Sequence, residues 1–268
     1  MAAPQRIVSL TPSGTEILCA LGLEHRLVGI SPTCDYPPTV LSLPRLTLED
    51  VRLRTLQSDL ILTPSLETLS ASDGTEVLAL QPLFLQDIWD DIHRVGAATG
   101  QQRQAATLLE GLLARMNALV AETIMLHEPP RVAVLVGVAP LQLAGYWLPD
   151  LIQLAGGTAG ISRPGEPPVT VTWAQLQAYA PEVLVLSPAG LASAPSPMTL
   201  RSLQRLPGWE TVPAVRQAQV YAIDAASAFY RPGPRVVNTL ELLAGLLHPD
   251  LFGDHLPSDG AGYRHLTA

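Results

Sequence analysis

The side chains best suited to chemistry in this chain are few, and they cluster in expected loops. Aromatic residues make up only 5% of 268 positions, yet Tyr36, Tyr146, Trp147, Phe229 and Tyr230 all fall where strands are expected to have ended. Their faces could stack on a flat apolar ligand, each contributing about 0.5–1.5 kcal/mol beyond area burial. Asp35 adjoins Tyr36 and Arg231 adjoins Tyr230, residue types that can serve as acid, base or anion clamp. No nucleophile elbow, zinc-protease helix, dinucleotide fingerprint or EF-hand loop is present. The six histidines (His25, His93, His127, His248, His255 and His265) are scattered, with no pair at metal spacing. Cys19 and Cys34 give neither a disulfide framework nor a zinc pattern. Cys19 reads as a small core residue of an apolar helix, Cys34 as a loop residue whose thiol can be exposed.

The elements that must position these residues alternate between strand and helix. Strands are expected at Arg6–Ser9, Leu27–Ile30, Asp59–Thr63 and Val77–Leu80, then at Arg131–Gly137, Glu182–Ser187 and Val220–Ile223. They are short apolar runs without strict alternation, the pattern of parallel strands covered on both faces. Helices lie between them, so the class is α/β. Gln101–His127 differs, with an apolar stripe through Leu108, Leu109, Leu112, Leu113, Met116, Leu119 and Val120 and one interior glycine, Gly111. Gly100 precedes this long helix and Pro129-Pro130 stop it. The last helix is expected from Pro234 to Leu247, and the polar tail after Gly253 is expected to fray.

The chain also repeats itself. TLEDVRLRTLQSDLILTP from Thr47 returns as TWAQLQAYAPEVLVLSP from Thr172, and each copy follows an Arg-led strand, a loop and a helix ending in glycine. The long helix falls between the copies. This predicts two Rossmann-like lobes with mainly parallel sheets joined by one long α-helix: residues 1–100, a linking helix over 101–128, and residues 129–268. A cleft between two such lobes is a preferred ligand site.

Composition removes several function classes. The formal net charge of −8, with no basic run, argues against nucleic acid. All sixteen basic residues are arginine, so a complete Walker A loop and a pyridoxal Schiff base are both excluded. No apolar run approaches the roughly twenty residues of a membrane helix. Near Met1 only Ile7–Leu10 is apolar, and it reads as the first strand rather than a secretion signal. A cytoplasmic location follows if Met1 is the native start.

At both ends the residues match a known family. SLTPSGTEILCALGL, followed by VGIS and CDYPP, resembles the opening of the cobalamin and iron-siderophore substrate-binding proteins of ABC importers. VYAIDAASAFYRPGPRVVNTLELLAGLLHP is similar to the closing motif of the cobalamin-binding branch, and PEVLVLSP to its second-lobe strand. The resemblance covers roughly Arg6 to Phe252. It implies two α/β lobes on one long helix and a ligand between them. By motif, it places Thr11, Pro12, Ser13, Cys34, Asp35 and Tyr36 at the ligand from the first lobe. From the second it places Tyr146, Trp147, Phe229, Tyr230 and Arg231 there. It further implies an ABC permease as partner, docked through one acidic residue on each lobe. Glu49 matches the first, but Ala174 stands at the second, removing half of that electrostatic clamp. The tryptophans that frame the family's ligand are not retained after Pro44 or at Thr63-Pro64.

Taken together, the sequence predicts a monomeric, non-catalytic binding protein for a corrinoid such as cobalamin, with no cofactor of its own. It would serve as an importer receptor or as a corrinoid-handling protein inside the cell. The alternatives are a haem or ferric-siderophore binder of the same fold, or a tetrapyrrole- or metal-modifying enzyme using Asp35, Tyr36 and Arg231.

Overall fold

The computed structural model describes residues 3–47, 56–65, 75–187, 197–223, 229–256 and 262–266. The chain divides into two units. The first comprises Met1–Pro82, Gln86–Ala114 and Arg231–Pro234; the second comprises Leu83–Leu85, Arg115–Tyr230 and Arg235–Ala268.

In the first unit the apolar runs form a parallel sheet of β1 (Ile7–Ser9), β2 (Leu27–Ile30), β3 (Leu60–Thr63) and β4 (Glu76–Ala79), in the order β2-β1-β3-β4. Every residue of β1 and β3 is buried, as the unbroken hydrophobicity of those runs requires. Helix α1 (Pro12–Ala20) lies between β1 and β2, with proline at its first position, where the missing N–H costs nothing. It stops because Gly22 takes φ +74: the Gly22 amide bonds to the Cys19 carbonyl and the Leu23 amide to the Leu18 carbonyl.

Helix α2 (Leu85–Ala98) turns Ile88, Ile92 and Val95 into the core, all fully buried. Helix α3 (Gln102–Thr123) follows after a tight turn, and its Ala105 presses on Gly96, where a Cβ would come within 2.5 Å. α3 contributes its residues up to Ala114 to the first unit and those from Arg115 onward to the second. Its 22 residues make it about 33 Å long. It ends at Thr123 rather than His127, since the Thr123 hydroxyl bonds to the Leu154 carbonyl at 2.7 Å and the chain then turns.

The second unit is built on a parallel core of β5 (Val132–Val138), β8 (Val183–Leu186) and β9 (Val220–Ile223). A hairpin adds β6 (Leu141–Leu143) antiparallel to β5, and β7 (Val169–Thr170) pairs with β6. Helices α4 (Leu148–Leu154), α5 (Trp173–Tyr179), α6 (Pro197–Gln204), α7 (Pro213–Arg216), α8 (Val236–Leu247) and α9 (Pro249–Phe252) complete the unit. Thr172 caps α5 through a reciprocal capping box with Gln175. Apolar residues surround α8, which is accordingly buried on nearly every side.

The tail departs from the expected fraying: β10 (Tyr263–His265) pairs antiparallel with β9. The Tyr263 and His265 rings lie 6.3 Å and 5.2 Å from that of Tyr221, so aromatic contacts add to the ladder.

Candidate ligand-binding site

In the first sheet the chain passes from β1 outward to β2 and returns to β3 on the other side of β1. Open α/β sheets build sites at such a reversal, outside the carboxyl ends of the strands. That edge is rich in hydroxyl groups. The Thr11 and Ser13 hydroxyls are 2.9 Å apart, and the Thr15 hydroxyl lies 2.9 Å from Ser9 Oγ and 3.1 Å from Cys34 Sγ. Pro12 is half-buried at the start of α1, while Ser13 is only 1% exposed. Cys34 is fully buried, contrary to the exposed loop thiol that its position suggested. Burial raises its pKa, outweighing the lowering by Thr15, the Ser31 backbone and the two arginines Arg231 and Arg45. The group is therefore a neutral thiol set among hydroxyls rather than a nucleophile.

Arg231 reaches this edge from the far end of the chain. Its Nη2 donates to Asp35 Oδ2 at 2.7 Å and its Nη1 to the Thr33 carbonyl at 3.0 Å. Arg45 donates from Nη1 to the carbonyls of Ser31 and Cys34. Beneath Gly233 lies buried Glu16, whose Oε2 would be 3.3 Å from a Cβ at that glycine. Tyr36 is 42% exposed beside Asp35. The structure thus gathers Thr11, Pro12, Ser13, Cys34, Asp35, Tyr36 and Arg231 in the first unit.

The second unit gathers the other aromatic candidates. Tyr146 and Trp147 stack with centroids 6.0 Å apart, and the Trp147 and Tyr230 rings are 5.3 Å apart. Tyr146 holds φ +57, a left-handed conformation anchored by its amide on the Glu166 carbonyl at 2.7 Å. Phe229, expected at the ligand, is only 2% exposed and so presents almost no surface to one. Two buried polar atoms of this cluster, Trp147 Nε1 and Tyr230 Oη, make no hydrogen bond. The Gly145 backbone lies near the Tyr230 hydroxyl without reaching hydrogen-bond geometry. Burial first, then Tyr146, pushes the Tyr230 hydroxyl up to about 12, so it remains a neutral donor.

Sequence reading missed Ser9, Thr15, Thr33, Glu16 and Arg45. Ser9, Thr15, Glu16 and Thr33 lie within or beside the opening motif, a local signal; Arg45 reaches the edge only through folding. Glu49 lies outside the described residues. Ala174 is exposed in the first turn of α5. No group of His, Cys, Asp or Glu fit to hold a metal occurs among the described residues. No helix among them is long and apolar enough to cross a membrane. A depression of about 450 Å³ in the second unit opens at the amino ends of β5, β8 and β9 and contains none of the predicted residues.

Residues 57–226 match the model of the periplasmic binding protein family. The chain belongs to this family. An uncharacterized ABC transporter substrate-binding lipoprotein of Bacillus subtilis is 24% identical over 267 residues, covering 93% of this chain and 82% of that protein. A vitamin B12-binding protein of Vibrio cholerae is 26% identical over 250 residues, covering 88% and 87%. Among solved structures, a periplasmic heme-binding protein from Roseiflexus superposes with a TM-score of 0.75 at 25% identity, covering 91% and 98%. The chain is therefore matched over most of its length in both sequence and fold.

Proposed function

We propose that the protein is a non-catalytic receptor of an ABC importer whose ligand is a corrinoid such as cobalamin. The observation that carries this reading is the meeting of the two end motifs. Asp35, from the opening motif, and Arg231, from the closing motif, are ion-paired at 2.7 Å across 196 residues. Hydroxyls of Thr11 and Ser13 stand on the same strand edge, and in the second unit the half-buried rings of Tyr146 and Tyr230 flank Trp147, which is itself buried. Hydroxyls and backbone groups like those of the first unit suit an amide-bearing rim, and rings like those of the second suit the apolar face of a macrocycle. The vitamin B12-binding relative favours this ligand class, and the importer lipoprotein favours export over a role inside the cell. Neither the Cys34 thiol nor the Tyr230 hydroxyl supports chemistry on the ligand, since burial holds both neutral.

Permease docking would rest on the first unit, because exposed Ala174 supplies no charge from the second. A second reading, haem binding, is favoured by the Roseiflexus relative. Calorimetric titration with cyanocobalamin, haemin and a ferric hydroxamate separates the two. A micromolar or tighter dissociation constant for cyanocobalamin, at least about −8 kcal/mol, is expected. Heat with haemin alone would transfer the assignment to haem, and no heat or spectral change with any of the three would remove the receptor reading.

A further inference from the structure

Among the described residues, the charged groups at the hydroxyl-rich edge of the first unit are balanced, two against two. Arg231 and Arg45 bring guanidiniums; Asp35 and Glu16 bring carboxylates. Neither guanidinium is idle. Arg45 is turned onto the Ser31 and Cys34 carbonyls, and Arg231 divides its donors between the Thr33 carbonyl and Asp35. Arg231 is the more sequestered partner of its pair, with 21% of its side chain exposed against 51% for Asp35. A carboxylate approaching this edge therefore meets the exposed Asp35 oxygens before the guanidinium behind them. Like charges at that distance repel, and the donor that would reward the ligand's charge is already satisfied.

We infer that Asp35 is a positioning residue that reserves the site for uncharged ligands. It acts through Arg231, by occupying the guanidinium that would otherwise take a ligand carboxylate. This rests on the corrinoid reading above and adds to it a rule of discrimination: an amide rim is accepted and the same rim bearing a carboxylate is rejected. A hydroxyl both donates and accepts, so the Thr11 hydroxyl, backed by that of buried Ser13, suits a neutral amide without requiring charge on the ligand.

The test uses two ligands that differ by one charge: cyanocobalamin and its monocarboxylic acid, in which one side-chain amide is hydrolysed. Affinities are measured for the full chain and for Asp35→Asn, Asp35→Glu and Arg231→Gln. The wild-type protein is expected to prefer the neutral ligand by about tenfold or more, the scale of one forgone charge-assisted hydrogen bond together with one added repulsion. Asp35→Asn should bring that ratio to about one or invert it, and its binding of the acid should weaken with added salt. Asp35→Glu should restore the preference. In the Arg231→Gln background, Asp35→Asn should shift the ratio less than it does in the wild-type protein, because only the repulsion is removed and no cation is released; an equal shift would overturn the role of Arg231. A ratio unchanged in Asp35→Asn would overturn the inference while leaving the corrinoid reading intact. Equal loss of both ligands, unrelieved by Asp35→Glu, would also overturn it, by making Asp35 a mere structural support. If the wild-type protein binds neither corrinoid, the proposed function and this inference fall together.

Discussion

Arg115 grips Glu241 through two parallel hydrogen bonds, 3.0 Å from Nε to Oε1 and 2.6 Å from Nη2 to Oε2. The same Nη2 donates to Asn238 Oδ1 at 2.8 Å. Arg115 is the first residue of α3 that belongs to the second unit, and both partners lie on α8. Helix α3 is thus fastened to buried α8 by the first residue that it contributes to that unit. Because 46% of the Arg115 side chain is exposed, water screens the pair, and its contribution should be about 1 kcal/mol. Arg115→Gln should lower the melting temperature by about 2–4 °C. Glu241→Gln should do the same, and the double variant should lose little more than either single change. Losses that simply add would show that the two residues act separately.

Gly111 is the one glycine inside α3, and nothing lies within 4 Å of the position its Cβ would take. No close approach requires glycine there, and in a helix interior glycine costs about 0.5–1 kcal/mol relative to alanine. Gly111→Ala should therefore stabilise the protein by about that amount in urea denaturation. A loss of stability would mean that the helix relies on a bend at this position.

How far the fold was legible depended on whether its signals were local. Leu27–Ile30 and Val220–Ile223 read as strands because a buried parallel strand is a continuous apolar run, and both appear at those bounds. The strands β6 and β7 went unread, since three and two residues are too few to display a period. β10 was missed for a different reason: Tyr263, Arg264 and His265 look like a polar tail until Tyr221 supplies a ring to pack against. At the candidate site, motif resemblance named Asp35 and Arg231 but not their pairing. Arg45, without a motif, was unreadable because a parallel bridge between Arg45 and Ile30 is what sets it beside Ser31 and Cys34.

Gly145 should respond to the same substitution as Gly111 with the opposite sign. A Cβ there would lie 2.3 Å from the Glu166 carbonyl oxygen, 2.6 Å from the Pro167 carbonyl carbon and 2.7 Å from the Pro168 nitrogen. These are backbone atoms, stiffened by two prolines, so the loop carrying Tyr146 and Trp147 must move. Gly145→Ala should cost about 1–3 kcal/mol, shift the tryptophan emission and weaken binding of the proposed ligand. Unchanged emission with full stability would show that this loop yields without disturbing the rings.

Asp91 should make the first unit sensitive to mild acid. It is 3% exposed on α2, with Oδ1 2.8 Å from Arg94 Nη1 and Oδ2 without a partner. Burial raises its pKa; Arg94 pulls it down, Asp87 and Asp90 push it up, and it settles at about 6. In the unfolded chain an aspartate titrates near 3.9, so the folded state binds the proton more tightly. The resulting stabilisation is fully present below about pH 4, is lost as pH rises through about 6, and is absent above. Linkage between about pH 4 and pH 6 amounts to about 3 kcal/mol at most. Asp91→Asn removes the titration, so the difference in urea midpoint between pH 4.5 and pH 7.5 should shift relative to wild type. The gain should appear at pH 7.5, where the wild-type protein keeps a buried carboxylate with one oxygen unsatisfied. Equal pH profiles for the two proteins would show that water reaches Asp91 and that its charge is not confined.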